Sequence, residues 1–279
     1  MRVRVGEELS EAKEVLSGVP QGSILGPLLF IAYIDRLGKM SYSDNARAIL
    51  YADDLVYLKP IVSEADRSAF MADVEKIEQA FTSLDLKLNA KKCKLMHFRL
   101  STKPELPAFD VRIAGCPLEI VDEYKYLGIV LDPELTFREH CQRTVTRARK
   151  AIGALTRTMR KWAPRSAFGR VYRGTIESFL LYGMDSCYPS QVGLQNSLER
   201  THRLAARLAA NDFRSDYSTV LDKLHWKRLQ ELALERSLTL CWSYVHGQRH
   251  LPNGFLCLRR EENSLRRSQR TGHGAQIIL

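Results

Sequence analysis

The 279-residue sequence contains no Cys-x-x-Cys pair, no apolar run long enough to span a bilayer and no apolar leader. Each absence excludes something. Six cysteines without close pairing are not a disulfide framework, so the expected setting is a reducing one, nuclear or cytoplasmic rather than secreted. The longest apolar stretch, Ile24 to Leu37, is broken by Gly26, Pro27 and Asp35, so no membrane is expected as a partner. The first eight residues, Met-Arg-Val-Arg-Val-Gly-Glu-Glu, lack the core of a signal peptide. Acidic residues are almost missing from one segment. Between Arg138 and Arg173 only Glu139 is acidic, set among Arg143, Arg147, Arg149, Lys150, Arg157, Arg160, Lys161, Arg165 and Arg170.

What is present is a chain with 45% hydrophobic residues, enough for one large domain or two modest ones. Its net charge of +10 suits a polyanionic partner, although a merely soluble basic protein carries the same signature. Val3, Val5 and Leu9 alternate around Gly6 and read as a short hairpin. Gly18 to Gly26 is loop-like, and Leu28 to Leu37 an apolar helix with Pro27 in its first turn. Ala46 to Leu58 reads as a β-hairpin with Asp53-Asp54 in its turn.

The spacing of Phe70, Val74, Ile77, Phe81 and Leu84 predicts a helix over 63–84, capped by Ser63 with Asp66. Leu86 to Arg99, Val111 to Ile113 and Tyr126 to Leu131 are strand-like; later stretches, about 195–210 and 224–247, are helical. The residues from about Leu258 are polar and basic and read as a frayed tail. The organisation expected is α+β: a mixed part over 1–132, a basic helical region over 133–194, a second helical region over 195–257 and the tail.

Adjacent carboxylates in a hairpin turn repel one another. A divalent cation resolves that repulsion, since Mg²⁺ binds through a few carboxylates together with substrate phosphates. An ordinary Asp-Asp turn remains the plain alternative. In a regular strand Asp53 and Asp54 would face opposite sides, which leaves one as the stronger ligand unless the turn bends both inward. Before the hairpin comes Ser17-Gly-Val-Pro-Gln-Gly-Ser-Ile-Leu-Gly-Pro27, whose glycines allow close backbone approach to a ligand and whose Gln21 can both donate and accept.

These segments together resemble the reverse transcriptases of non-LTR (LINE-type, insect-like) retrotransposons. Ser17 to Pro27 is similar to motif B of the polymerase palm, and Tyr51-Ala-Asp-Asp54 to motif C. Leu86-Lys-Leu-Asn-Ala-Lys-Lys-Cys-Lys-Leu-Met-His-Phe98 is similar to motif D and the strand after it, and Tyr124-Lys-Tyr-Leu-Gly-Ile-Val-Leu-Asp132 to motif E. The four occur in the family's order. The resemblance implies a partial antiparallel palm followed by an all-helical thumb-like region. It implies RNA-directed DNA polymerase chemistry on an RNA template and DNA primer with dNTP, using two Mg²⁺ ions.

Within that resemblance Asp53 and Asp54 are the catalytic metal ligands, Asp53 the main one. Pro20, Gln21, Gly22 and Tyr51 lie against nucleotide and template. Lys91 or Lys92 meets the triphosphate. Tyr126, Leu127 and Gly128 hold the primer end, and Arg143, Arg147, Lys150, Arg157, Arg160 and Lys161 touch the nucleic-acid backbone. The chain departs from the family in lacking the aspartate of motif A, which belongs before motif B; Glu7, Glu8, Glu11 and Glu14 lie in no matching strand. The chain is therefore expected to be a fragment, inactive alone.

The alternatives are a non-enzymatic nucleic-acid-binding module and an interaction scaffold derived from a palm. A zinc set of Cys241, His246, His250 and Cys257 is a minor reading, since the surroundings of Cys241 suit a buried thiol. Trp162, Trp226 and Trp242 read as core residues.

Overall fold

Gly6, at φ +64°, turns the chain between β1 (Arg4–Val5) and β2 (Glu8–Leu9), an exposed hairpin. The computed structural model describes residues 2–14, 18–99, 110–159, 163–249 and 275–278. The apolar helix forms as α1 (Gly26–Gly38), two residues earlier than its hydrophobic pattern suggests, because Pro27 pre-sets the helical φ of the first turn. It buries Ile34 and Leu37 and leaves Leu28, Leu29 and Ile31 exposed.

The alternating segment forms the hairpin of β3 (Arg47–Tyr51) and β4 (Asp54–Pro60), with Tyr51 opposite Asp54. Helix α2 (Glu64–Ser83) follows. Ser63 Oγ accepts from the Asp66 amide at 3.2 Å and the Asp66 side chain accepts from the Ser63 amide at 2.9 Å, the reciprocal cap read from the sequence. Its stripe of Phe70, Val74 and Ile77 packs with Tyr57, Leu95, Val111 and Ile113 in the first hydrophobic core.

Two strand expectations shrink. Of Leu86 to Arg99 only β5 (Lys94–His97) is a strand, because Lys92 and Cys93 both donate backwards to the Asn89 carbonyl and make a turn. Strands β6 (Arg112–Ile113), β7 (Cys116–Pro117) and β8 (Glu119–Ile120) are two residues each. Tyr126 to Leu131 is not one strand but the second half of a hairpin, β9 (Tyr124–Tyr126) and β10 (Ile129–Leu131). Leu127 and Gly128 have φ +45° and +87°, and that pair of left-handed residues closes a tight two-residue turn.

The remaining helices are α3 (Arg138–Met159), α4 (Arg165–Val171), α5 (Ser178–Leu180), α6 (Met184–Cys187), α7 (Val192–Ala210), α8 (Tyr217–Leu224) and α9 (Leu229–Val245), with a π-helical turn over Tyr172–Glu177. They build a second core around Ile152, Tyr172, Leu180, Leu198 and Ala205.

The chain falls into two compact units, Met1–Val121 with His273–Leu279, and Asp122–Gly272. The division lies before the β9–β10 hairpin rather than near 132, since β10 packs on α3. The end of the chain also departs from a frayed tail: β11 (Ala275–Ile278) inserts into the five-stranded sheet β3-β4-β11-β5-β8. Residues 250–274 lie outside the described residues.

In the second core, His202 is fully buried between Tyr172 and Lys227. The Lys227 carbonyl can only accept, so Nε2 carries the proton and donates to it at 3.1 Å. Nδ1 then accepts from the Tyr172 hydroxyl at 2.7 Å. Burial drives the imidazole pKa from 6.5 down to about 4, against the hydrogen bond to Lys227. The unfolded chain therefore binds a proton below pH 6.5 that the folded chain refuses. Stability falls as pH drops from 6.5 towards 4, by about 3 kcal/mol. Urea midpoints measured across that window should show the slope in the native chain and a flatter one in His202→Gln.

Candidate active site

Asp53 and Asp54 are both exposed at the β3–β4 turn, but they are not equivalent. Asp54 is the first residue of β4 and pairs with Tyr51; Asp53 and Ala52 form the turn itself. The strand-period argument, which puts neighbours on opposite faces, therefore does not govern Asp53. Ala52 has φ +51°, a left-handed conformation that is uncommon for a residue with a Cβ and a form of strain found at functional turns. Among the described residues no third carboxylate, His or Cys joins the pair to make a metal-holding cluster. Two adjacent exposed carboxylates match the oxygen chemistry of a divalent ion and supply part of its shell.

The segment Pro20–Ser23 is a β-turn. The Ser23 amide and hydroxyl both donate to the Pro20 carbonyl, at 3.2 Å and 2.8 Å, and Gly22 takes φ +81° at the third position. Pro20, Gln21 and Gly22 are exposed. Gly26 is required for a different reason: a Cβ there would stand 2.7 Å from Ser23 Oγ and 3.1 Å from the Pro20 carbonyl, so the loop lies tight on the start of α1.

Lys91 and Lys92 are exposed in the turn before β5. Strands β4 and β5 are each antiparallel to β11 and so run the same way. The Lys91–Lys92 turn and the Asp53–Asp54 turn consequently lie at the same end of the sheet, two strand spacings or about 10 Å apart across it.

Behind the hairpin is a cluster that sequence reasoning missed. Asp73, on α2, has no exposed surface. Its Oδ2 accepts from the Ser43 amide at 2.9 Å, the Ser43 hydroxyl at 2.5 Å and the Tyr57 hydroxyl at 2.6 Å, while Lys76 Nζ approaches Oδ1 at 3.3 Å. Lys59, also buried, donates to Ser43 Oγ at 2.9 Å and to the Asp44 carbonyl at 3.0 Å. Burial pushes the Asp73 carboxyl up, yet the hydrogen bonds from Ser43, Tyr57 and Lys76 outweigh it and hold the pKa below 3.8. The signal was an aspartate on the apolar stripe of a helix, three residues from Phe70 and one from Val74. The cluster ties the loop before β3 to β4 and α2.

The second unit holds the other candidates. The tip of the β9–β10 hairpin is fixed by Tyr182, whose hydroxyl donates to the Leu127 carbonyl at 2.7 Å and whose ring lies where a Gly128 Cβ would come within 3.2 Å. On α3, Glu139, Gln142, Arg143, Thr146, Arg147 and Lys150 line one groove. Arg143 is not a lone cation: it pairs with Glu139 at 2.8 Å and with Glu123 at 2.7 Å, the second partner lying outside the acid-poor run. Arg147 lies 4.8 Å over the Phe179 ring, and Lys150 and Arg157 are exposed. Arg160 and Lys161 fall outside the described residues, as do Trp162, His250 and Cys257. Cys241 is exposed rather than buried, and His246 Nδ1 is occupied by the Trp242 carbonyl at 2.9 Å. Trp226 stacks on Tyr172 in the core, whereas Trp242 is half exposed and stacks on His246.

A helix-backed antiparallel hairpin that displays adjacent carboxylates, followed by a strand entered through a lysine turn, is an α+β partial polymerase palm. The comparisons narrow the class: residues 2–131 match the family model for reverse transcriptase (RNA-dependent DNA polymerase), and the chain belongs with the reverse transcriptases of non-LTR retrotransposons. It is 30% identical over 198 residues to a probable RNA-directed DNA polymerase from transposon BS of Drosophila melanogaster, covering 65% of this chain and 21% of that protein. It is 33% identical over 139 residues to the RNA-directed DNA polymerase from mobile element jockey of Drosophila funebris, covering 47% and 15%. A Pol polyprotein from a type-1 R1 element of Nasonia vitripennis is 26% identical over 182 residues, covering 61% and 52%. The chain thus spans about a fifth of the first of these relatives. No solved structure matches it. No helix among the described residues is long and apolar enough to cross a membrane.

Proposed function

We propose that this chain is the palm and thumb portion of an RNA-directed DNA polymerase, acting on an RNA template and DNA primer with dNTP. The observation that carries the reading is the β3–β4 turn, which exposes Asp53 and Asp54 at the sheet end shared with Lys91 and Lys92. Asp53 and Asp54 would hold Mg²⁺, which when bound stabilises the charge on the attacking and leaving oxygens of nucleotidyl transfer. Lys91 and Lys92 are placed to meet the phosphates of the incoming nucleotide. Pro20, Gln21 and Gly22 offer backbone and amide groups to nucleotide or template, with Tyr51 beside the turn. Tyr126, Leu127 and Gly128 offer the rigid hairpin tip to the primer.

A primer-extension assay tests this. The 279-residue polypeptide alone should give no product. Joined to a palm segment that supplies a third carboxylate, it should extend a primer on RNA in the presence of Mg²⁺. Failure of the joined, folded protein to extend would overturn the reading.

The groove on α3 favours a second contribution, non-specific grip of the duplex through phosphates. Binding to an RNA–DNA hybrid should weaken steeply with salt. Arg147→Ala and Lys150→Ala should each lower the slope of log K against log salt by about 1. Arg143→Ala should lower it less, since Glu139 and Glu123 already offset its charge. Equal slopes for all three variants and the native chain would leave only the scaffold reading.

A further inference from the structure

Strand β11 is an unusual component of its sheet. Every other strand comes from residues 47–120, yet Ala275–Ile278, from the far end of the chain, lies between β4 and β5. Gln276, Ile277 and Ile278 are paired on both sides, with Lys59, Leu58 and Tyr57 on one and His97, Met96 and Leu95 on the other. In the strand order β4 and β5 meet only through β11. Without it each would present an unpaired edge.

The fit is also incomplete. Strand β4 begins at Asp54, but the described pairing with β11 reaches only Tyr57. Asp54, Leu55 and Val56 have ladder partners on the β3 side, Tyr51, Leu50 and Ile49, and run beyond β11 on the other. A longer strand in the same place gains main-chain hydrogen bonds that β11 does not make. Holding so short a strand across so long a connection carries a loop-closure cost that grows with length. The neighbouring residues Tyr57, Leu95 and Met96 are almost fully buried, so the position favours apolar, β-forming residues such as Ile277 and Ile278.

We propose that the gap between β4 and β5 is a strand-binding site, held by the chain's own C-terminal strand and open to exchange with an extended apolar peptide. The main-chain edges supply affinity and the buried faces supply selectivity, as in other cases of strand addition. The site is independent of the metal reading, and its test uses no metal and no catalysis.

A fluorescent peptide of residues 273–279 is titrated against the full chain and against a chain lacking those residues. The shortened chain should bind it on the order of tenfold or more tightly, because the tethered strand no longer competes. The peptide with Ile277→Pro, which cannot donate at that position, should not bind. A full-length Ile277→Pro variant covers the case in which the shortened chain does not fold. Hydrogen exchange should rise in Tyr57–Lys59 and in Leu95–His97 together, while α2 keeps its protection. Equal peptide binding to both chains, or unchanged exchange in β4 and β5, overturns the proposal.

Discussion

Asp53→Asn should lower primer extension about a hundredfold or more in a polypeptide that carries a third carboxylate, while leaving the fold intact. The substitution keeps size and shape and removes one negative charge at the exposed tip of the β3–β4 turn. Asp54→Asn should cost less. Its backbone is committed to the ladder opposite Tyr51, and its side chain leaves from the strand rather than from the turn. Neither variant should change stability by more than about 0.5 kcal/mol, because both side chains are exposed. Thermal melting separates the two effects: activity should vanish at an unchanged melting temperature. If Asp54→Asn is the more damaging of the two, the assignment of the main ligand is wrong. If both are harmless, so is the assignment of the metal site.

Asp73→Ala should destabilise the first unit by about 3–5 kcal/mol. It removes the acceptor shared by the Ser43 amide, the Ser43 hydroxyl and the Tyr57 hydroxyl, all within 3 Å, and leaves Lys59 buried with its partner Ser43 released. Asp73→Asn, which keeps an acceptor oxygen without the charge, should recover part of the loss. The native contribution also has a pH signature. The folded pKa lies below 3.8, so the stabilisation is complete above that value and is lost as pH falls beneath it. Chemical denaturation followed at several pH values should show native and variant curves converging in strong acid. Curves that stay parallel there would mean that Asp73 acts through packing alone.

The sequence made the carboxylate turn legible because it carries its own context: alternating apolar residues on both sides, a glycine-rich loop ahead and a capped helix behind. The α2 helix was legible for the same reason, since Ser63, Asp66 and the apolar stripe all report on one local structure. Arg143 was not, because its second partner, Glu123, lies in the loop before β9 and no local pattern links them. Asp73 was hidden in the stripe it interrupts, and Tyr182 in a run of aromatic and apolar residues whose contact with Leu127 is 55 positions away. Cys241 was misplaced because an apolar neighbourhood in sequence does not say which face of α9 a thiol occupies. Strand β11 could not be foreseen, since four residues in a polar, basic tail become a strand only when two waiting edges pair with them.

That last strand sets the order in which the protein can be completed as it is made. A ribosome delivers β3, β4 and β5 early and must then add residues 98 to 274 before Ala275–Ile278 exists. At about 5–20 residues per second, the first unit waits on the order of ten seconds or longer with both edges of its central gap unfilled. Nascent chains crowded on one message present those edges to one another during that interval. Synthesis that stalls after β5 should therefore yield intermolecular sheet, whereas release of the finished chain should suppress it.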